Sequence, residues 1–584
     1  MTNSRHRHPL LQTWPPEFVA RYRAAGYWRG ETMASFLQAQ AQRRAGHTAI
    51  VGFSPSVGGA LQHWSYAQFW QKVETAAAGF LASGLQPGDR VVVQMGNVPE
   101  FYSVVFGLFR AGLIPVYALP AHRTREIAHF IDKAEASAYV ALQQYENFDY
   151  RTLARELRQQ AFSHDLFEQV FIVGGDAAEF TAFDAFQSDA ARLPDLASAD
   201  ADPQAVAFLQ ISGGSTGLSK LIPRTHDDYI YSFRASNEIC GITQGSVYMV
   251  ALPAAHNFPM SSPGAFGAFY AGATVVLSPS PSPEAAFPLI ASERVTAVGL
   301  VPPLALLWAQ AASGTGGAGG AGGAGGAGGA GGAGQAHDLS SLRTLQVGGA
   351  KLTPEAARRV SASLSCQLQQ VFGMAEGLVN YTRLGDDEAT VIETQGRPIS
   401  ADDEVLVVDD LGQPVPEGQP GYLLTRGPYT IRRYHNDDAA NARSFTDDGY
   451  YRTGDMVLRN ARGYLTVQGR ATDHINRAGE KVSAEEIEDH LLAHPQVFDA
   501  AVVSIPDEYL GERSCAFVIA RQGEKPRAIE IKQWFKGRQI AAFKIPDQIV
   551  FVDSFETTAV GKTSRKELRA RLRAQLLAQE APAR

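Results

Sequence analysis

Cysteine is scarce in this chain, and what there is stands far apart. The 584 residues hold three, Cys240, Cys366 and Cys515. They offer neither metal-ligand spacing nor a disulfide framework, so buried thiols in a reducing compartment are expected. An excess of positive charge is also missing. Against 60 Asp and Glu stand 52 Lys and Arg, a net charge of −8. That argues against a nucleic-acid binder working by phosphate neutralisation; the local exception is the basic stretch 562–573. Long apolar runs are absent too. Arg110 interrupts the stretch 101–121, and Pro302-Pro303 interrupts 296–312, so neither reads as a membrane span. The N-terminus, Met1-Thr-Asn-Ser-Arg-His-Arg-His, lacks the apolar core of a signal peptide. A cytoplasmic protein with no membrane partner is the expectation. Apolar content of 45% and charged content of 19% are ordinary for a globular protein, and the length exceeds what one core fills.

What is present alternates. Arg90-Val-Val-Val-Gln-Met95 reads as a strand. The stretch 99–111 carries Phe101, Val105, Phe106 and Phe109 at helical spacing, and 113–118 returns to strand. The same rhythm recurs at 126–142 and 272–277. It implies α/β architecture, with parallel sheets covered by helices and ligands bound beyond the carboxyl ends of the strands. After residue 400 short strands and turns take over, at 403–409, 421–426 and 464–468. From about 473 a compact α+β pattern follows, with helices at 483–494 and 527–538 and strands at 500–505 and 514–519. The expected division is 1–470 and 471–584. Six Gly-Gly-Ala triplets at 316–333 have nothing to bury. With their flanks, 314–334, they read as a disordered insertion inside the first domain, not a boundary.

Chemistry concentrates in five motifs. After the buried strand 205–211 comes Ser212-Gly-Gly-Ser-Thr-Gly-Leu-Ser-Lys220. Glycines bring backbone N–H groups against an anion, hydroxyls add donors, and lysine adds a point charge. The loop suits a triphosphate, yet no register fits the ordinary P-loop. Downstream stand Val347-Gly-Gly-Ala-Lys-Leu352, Val371-Phe-Gly-Met-Ala-Glu-Gly377, Tyr451-Arg-Thr-Gly-Asp455 with Gly469-Arg-Ala-Thr-Asp-His-Ile475, and Val560-Gly-Lys562. Each has a plainer reading when taken alone. The loop reads as a Gly/Ser surface loop, and Glu376 as a helix-start carboxylate. Asp455 reads as a strand-end turn residue, His256 as a hydrogen-bonded core residue, and Lys562 as a solvated lysine in a basic tail.

In order and spacing the five motifs resemble the acyl-adenylate-forming superfamily across about residues 15–570. The resemblance implies a large N-terminal domain of βαβ-rich sheets and a small mobile α+β C-terminal domain. ATP and a carboxylic acid would give an acyl-adenylate and pyrophosphate, and a thiol would then take the acyl group. It implies that Ser212, Gly213, Gly214, Ser215, Thr216, Gly217 and Lys220 cradle the phosphates, where in-line displacement accumulates negative charge. Glu376 would hold magnesium with Thr216, since a hard cation takes oxygen ligands. Asp455 would take the ribose hydroxyls, with Arg470 beside the nucleotide. Gly348, Gly349 and Ala350 would let backbone approach the adenine, with apolar contact from Val371, Phe372 and Val467. Lys562 would be the catalytic lysine, bridging the attacking carboxylate and the α-phosphate oxygens. Two positions depart from the pattern, Thr472 at the hinge and Glu556 where proline is usual.

Within the superfamily, Leu252-Pro-Ala-Ala-His-Asn-Phe-Pro-Met-Ser-Ser-Pro-Gly264, Gly373-Met-Ala-Glu-Gly-Leu-Val-Asn-Tyr-Thr-Arg383 and Tyr27-Trp-Arg-Gly-Glu-Thr32 resemble the stand-alone aryl-acid ligases that begin siderophore synthesis. Asn257 replaces the aspartate of amino-acid-activating relatives, which avoids burying an unpaired anion beside a substrate without an amine. His256 and Phe258 would line the acid. Ser262 and Val379 resemble the dihydroxybenzoate enzymes, whereas salicylate enzymes tend to have Cys and Leu there. The reading favoured is 2,3-dihydroxybenzoate, with transfer to the phosphopantetheine of a separate aryl carrier protein. Salicylate, a benzoate-type coenzyme A ligase and a silent scaffold of the same fold are the alternatives.

Replacing 316–333 with a short Gly-Ser loop should leave kcat and KM nearly unchanged, because loop length costs little when the ends already lie close. A large loss of activity in a folded variant would give the tract a role.

Overall fold

The computed structural model describes residues 14–187, 189, 193, 202–212, 219–313, 337–470, 474–477, 480–507, 511–538, 544–555, 568 and 571. Two large sheets build the N-terminal domain. One has nine strands. Its parallel centre runs, in spatial order, Gln367–Gly373, Thr344–Gly348, Ala297–Leu300, Val247–Val250, Thr274–Leu277 and Thr48–Ser54. Antiparallel strands flank it, Val379–Tyr381 on one side and Ala60–Ser65 on the other. The second sheet has seven strands. Leu221–Thr225 and Val206–Ile211 pair antiparallel at one edge, and Ile114–Ala118, Arg90–Gln94, Ala136–Leu142, Gln169–Val173 and Thr181–Ala182 continue in parallel. Arg90–Gln94 and Ala136–Leu142 are buried along their whole length, as strands covered on both faces must be. Pro223 is tolerated because Leu221–Thr225 is an edge strand.

Helices close the crossovers. Pro99–Arg110 begins with proline at its first turn, where no N–H is needed. His226–Cys240 starts on a capping box of Thr225 and Asp228 and stops at Gly241, whose φ is +65°. These elements match the alternating pattern of the sequence to within a residue or two.

A four-stranded antiparallel sheet follows, Glu404–Val408, Gly421–Arg426, Tyr451–Arg459 and Leu465–Arg470. Asp455 stands inside the third strand, not at a strand end. Gly454, with φ +77°, lets the strand bulge and continue. A strand glycine looks like a terminator in sequence unless a bulge absorbs it. The small C-terminal domain is a five-stranded sheet. Gly511–Ala520 pairs with Val497–Asp507 along one edge and with Gln548–Phe551 and His474–Arg477 along the other. The strands at 500–505 and 514–519 thus extend further than their apolar cores suggest. Helices Ala484–Leu492 and Ala528–Gly537 bury Ile487, Leu491, Ile531 and Phe535 with the sheet's Val502 and Val518. Of the three thiols, Cys240 and Cys515 are buried and Cys366 is half-buried. Burial pushes Cys366 up to about 11 and Cys515 up to about 12. Among the described residues no helix is long and apolar enough to cross a membrane.

Asp403 fixes the four-stranded sheet to the larger body. Its Oδ2 accepts from the Tyr429 hydroxyl at 2.6 Å and from the Ser400 N–H at 3.0 Å, and Ser400 Oγ accepts from Tyr231 at 2.7 Å. Oδ1 is buried without a hydrogen bond. Burial pushes the carboxyl up to about 7, although the Tyr429 hydrogen bond opposes the shift. Below that pH the folded protein holds a proton that the unfolded chain gives up at ordinary carboxylate pH. Asp403 therefore favours the folded state most at low pH, and that contribution is lost as pH rises through about 7. The urea midpoint should fall as pH goes from about 6 to 8, and Asp403→Asn should flatten that fall. An unchanged slope in the variant would assign it to another group.

Candidate functional site

The site lies along the carboxyl ends of strands from both large sheets. Ser212 follows Val206–Ile211 and is buried; Lys220 precedes Leu221–Thr225. Two bonds close the loop between them. The Ser212 N–H donates to the Lys220 carbonyl at 3.0 Å, and the Lys220 N–H donates to Ser212 Oγ at 2.9 Å. Ser212 and Lys220 thus close the connection between the edge strand and its antiparallel neighbour. His129 Nε2 meets the Ser219 carbonyl oxygen at 3.0 Å. Gly213, Gly214, Ser215, Thr216 and Gly217 lie outside the described residues, as do Lys562, Thr472 and Glu556. The Lys220 ammonium stands over the Tyr434 ring, 4.3 Å from its centroid.

Glu376 is not at a helix start. It sits in the turn between Gln367–Gly373 and Val379–Tyr381. That turn is held from outside. Arg224 donates to the Ala375 carbonyl at 2.9 Å, and the Ile431 N–H donates to the Glu376 carbonyl at 2.7 Å. Gly377 is needed for close approach: its φ is +155°, and a Cβ would stand 2.4 Å from Thr430 Cα. The Glu376 carboxylate is buried, and its Oε1 accepts from the Tyr434 hydroxyl at 2.9 Å. Tyr451 lies 3.0 Å from the same hydroxyl. Burial, reinforced by the Glu376 charge, pushes both phenols far above their ordinary range. Both stay protonated, so Tyr451 donates to Tyr434 and Tyr434 donates to Glu376. Among the described residues no donor occupies Oε2.

Asp455 shares the buried face of its strand with Tyr451 and Thr453, and its N–H donates to Thr453 Oγ1 at 3.0 Å. It pairs in register with Arg470, the last residue of Leu465–Arg470. Val467 packs into an apolar cluster with Leu378, Leu423 and Val457, against which Phe372 also rests. Val371, next along the strand from Phe372, joins the large core instead. Gly348 ends its strand, with Gly349 at φ +82° and Ala350 exposed beyond it. A Cβ on Gly348 would stand 2.7 Å from the Val371 carbonyl oxygen and 3.3 Å from the tip of the Phe258 ring.

Around Phe258 the remaining residues gather. His256 caps the helix Asn257–Ser261, its Nδ1 accepting from the Phe258 N–H at 3.3 Å. Asn257 Oδ1 accepts from the Tyr229 hydroxyl at 2.9 Å, and among the described residues the amide N–H groups have no partner. Ser262 is buried just past the helix. Val379 is buried opposite Gly373, its Cγ2 3.3 Å from where a Cβ on that glycine would stand. The Val379 N–H donates to the Tyr429 hydroxyl at 3.2 Å. The structure thus joins Phe258, Gly348 and Val371 in one contact set, and Lys220, Tyr434, Glu376 and Tyr451 in another.

Five residues of this framework escape the sequence reading: Arg224, Tyr229, Tyr429, Tyr434 and Tyr451. Tyr451 stands within a quoted motif but reads as its flank. Arg224 follows the glycine loop by four positions without a pattern of its own, and Tyr434 sits in Arg-Arg-Tyr-His, where nothing marks it.

Comparison with known proteins gives a consistent result. Residues 37–435 match the AMP-binding enzyme family, and 486–562 match the AMP-binding enzyme C-terminal domain. The 2,3-dihydroxybenzoate-AMP ligase of Bacillus subtilis is 51% identical over 97% of this chain and 98% of its own. The vibriobactin-specific 2,3-dihydroxybenzoate-AMP ligase of Vibrio cholerae is 48% identical over 96% and 97%. The apo structure of Mycobacterium smegmatis MbtA superposes with a TM-score of 0.69 at 45% identity, covering 96% of this chain and 98% of that one. A large α/β N-terminal domain, a smaller C-terminal domain and these matches together make the chain a member of the AMP-binding enzyme family.

Proposed function

We propose that the protein activates 2,3-dihydroxybenzoate with ATP, giving the aryl-adenylate and pyrophosphate, and passes the aryl group to the phosphopantetheine thiol of an aryl carrier protein in a cytoplasmic siderophore pathway. The observation that carries the reading is the Asn257 amide. Tyr229 takes its oxygen, so the side chain offers donors, which suits an acid that has a carboxylate and hydroxyls but no ammonium. The substrate named for the two curated relatives supports the same choice.

In the first step a carboxylate oxygen of the acid bonds to the α-phosphorus, and the bond to pyrophosphate breaks. The glycine loop from Ser212 to Lys220 carries the phosphates. Lys562 draws the carboxylate and α-phosphate together by charge, and Asp455 fixes the ribose through its hydroxyls. Gly348, Gly349 and Ala350 admit the adenine, with Val371, Phe372 and Val467 behind it and Arg470 alongside. In the second step the thiolate bonds to the acyl carbon and AMP leaves. Magnesium fits the donor set: one buried carboxylate with an oxygen that no donor among the described residues occupies is what a cation that keeps phosphate and water ligands needs. Glu376 with Thr216 would hold it, and it would offset the charge on the phosphates.

Ser262 and Val379 set the choice of acid. Ser262 supplies a partner to the 3-hydroxyl, and Val379 leaves that hydroxyl room. Ser262→Cys with Val379→Leu should move the kcat/KM ratio toward salicylate by about 1–3 kcal/mol, roughly one to two decades. Acid-dependent ATP–pyrophosphate exchange over a panel of hydroxybenzoates checks this. Wild-type preference for salicylate would overturn the substrate assignment, and a fixed ratio would remove these two residues from the 3-position.

A further inference from the structure

Lys220 and Glu376 come from different sheets, yet one side chain touches both. Tyr434 presents its ring face to the Lys220 ammonium at 4.3 Å and its hydroxyl to Glu376 Oε1 at 2.9 Å. Tyr434 is itself clamped at both ends. Its N–H donates to Asn441 Oδ1 at 2.7 Å, and its carbonyl accepts from Asn441 Nδ2 at 3.1 Å. Its hydroxyl lies 3.0 Å from Tyr451. The next residue bridges the strand that follows Lys220, the His435 N–H donating to the Leu221 carbonyl at 2.9 Å. The backbone thus locks the ring beside Lys220.

The charges around it make the arrangement functional. A lysine beside acidic residues ordinarily pairs with one. Among the described residues Lys220 has no carboxylate partner, and the Asp437 that acts on it electrostatically is held by Lys133 at 2.5 Å. An aromatic face attracts the ammonium without neutralising it, so the charge stays available to an anion. The hydroxyl meanwhile occupies one oxygen of Glu376 and fixes where the other points. We infer that Tyr434 is a positioning residue for nucleotide activation, its ring setting Lys220 for the phosphates and its hydroxyl setting Glu376 for the divalent cation. This rests on the adenylation reading of the same site.

Two variants separate the two roles. Tyr434→Phe keeps the ring and loses the hydroxyl; Tyr434→Leu loses both. ATP binding is measured by calorimetry with excess EDTA and with Mg2+. Tyr434→Phe should bind ATP like wild type in EDTA, but the affinity gained on adding Mg2+ should shrink about tenfold. The Mg2+ concentration for half-maximal exchange should rise, with the KM for the aryl acid unchanged. Tyr434→Leu should also bind ATP more weakly in EDTA, by roughly fivefold. Should either fail to fold by circular dichroism, Tyr451→Phe, which removes only the bond into the Tyr434 hydroxyl, should give the same loss of Mg2+ gain in smaller measure. Equal Mg2+ gains in wild type and the phenylalanine variants would overturn the role at Glu376. Unchanged ATP affinity in Tyr434→Leu would overturn the role at Lys220. Failure of the adenylation reading shows separately, as absence of acid-dependent exchange in the wild type.

Discussion

Arg224 is the point on which the site's geometry depends. It is buried, and its three nitrogens are all engaged. Nε donates to Asp228 Oδ1 at 2.8 Å, one terminal nitrogen to the Ala375 carbonyl at 2.9 Å and the other to the Tyr429 carbonyl at 3.1 Å. Asp228 in turn accepts from the Thr225 N–H and hydroxyl. A buried ion pair of this kind adds little net stability when complete, but removing one partner leaves a charge stranded at a cost of about 3–5 kcal/mol. Its value is geometric. Ala375 precedes Glu376, and Tyr429 bonds the backbone of Val379. One guanidinium thereby ties the Glu376 turn, the strand that begins at Val379 and the strand after the glycine loop into a single frame.

The frame divides two kinds of chemistry that the reaction needs side by side. Toward Lys220 and Glu376 the groups are charged, held by aromatic and hydroxyl contacts that leave their outward atoms without partners among the described residues. Toward Phe258, Ser262 and Val379 the surroundings are apolar and buried, with Asn257 and Ser262 as neutral polar points. On the proposed function an aryl ring would gain from burial there, with its carboxylate directed toward the phosphates. Among the described residues no carboxylate besides Glu376 stands among these contacts; on the proposed function another would compete with the triphosphate.

Much of this was legible in the residues. The glycine at 348 flags close backbone approach, and the alternation around Val91, Phe101 and Val116 places parallel strands under helices. Motif order groups Lys220, Glu376 and Asp455 as expected nucleotide-site residues, and the structure brings Lys220 and Glu376 together through Tyr434. What sequence did not carry was support at a distance. Tyr434 and Arg224 act through tertiary neighbours more than 50 residues away, which no local period encodes. Asp455 looked like a strand end because the bulge at Gly454 depends on the facing strand. Strands such as Val497–Asp507 outran their apolar pattern because pairing extends past the buried residues.

The most direct test is a crystal structure with a non-hydrolysable 2,3-dihydroxybenzoyl-adenylate analogue. The ring should stand against Phe258 and Val379, with the 3-hydroxyl on Ser262 and the ribose hydroxyls on Asp455. A ring bound away from Ser262 and Val379, or a ribose that does not reach Asp455, would contradict the proposed function.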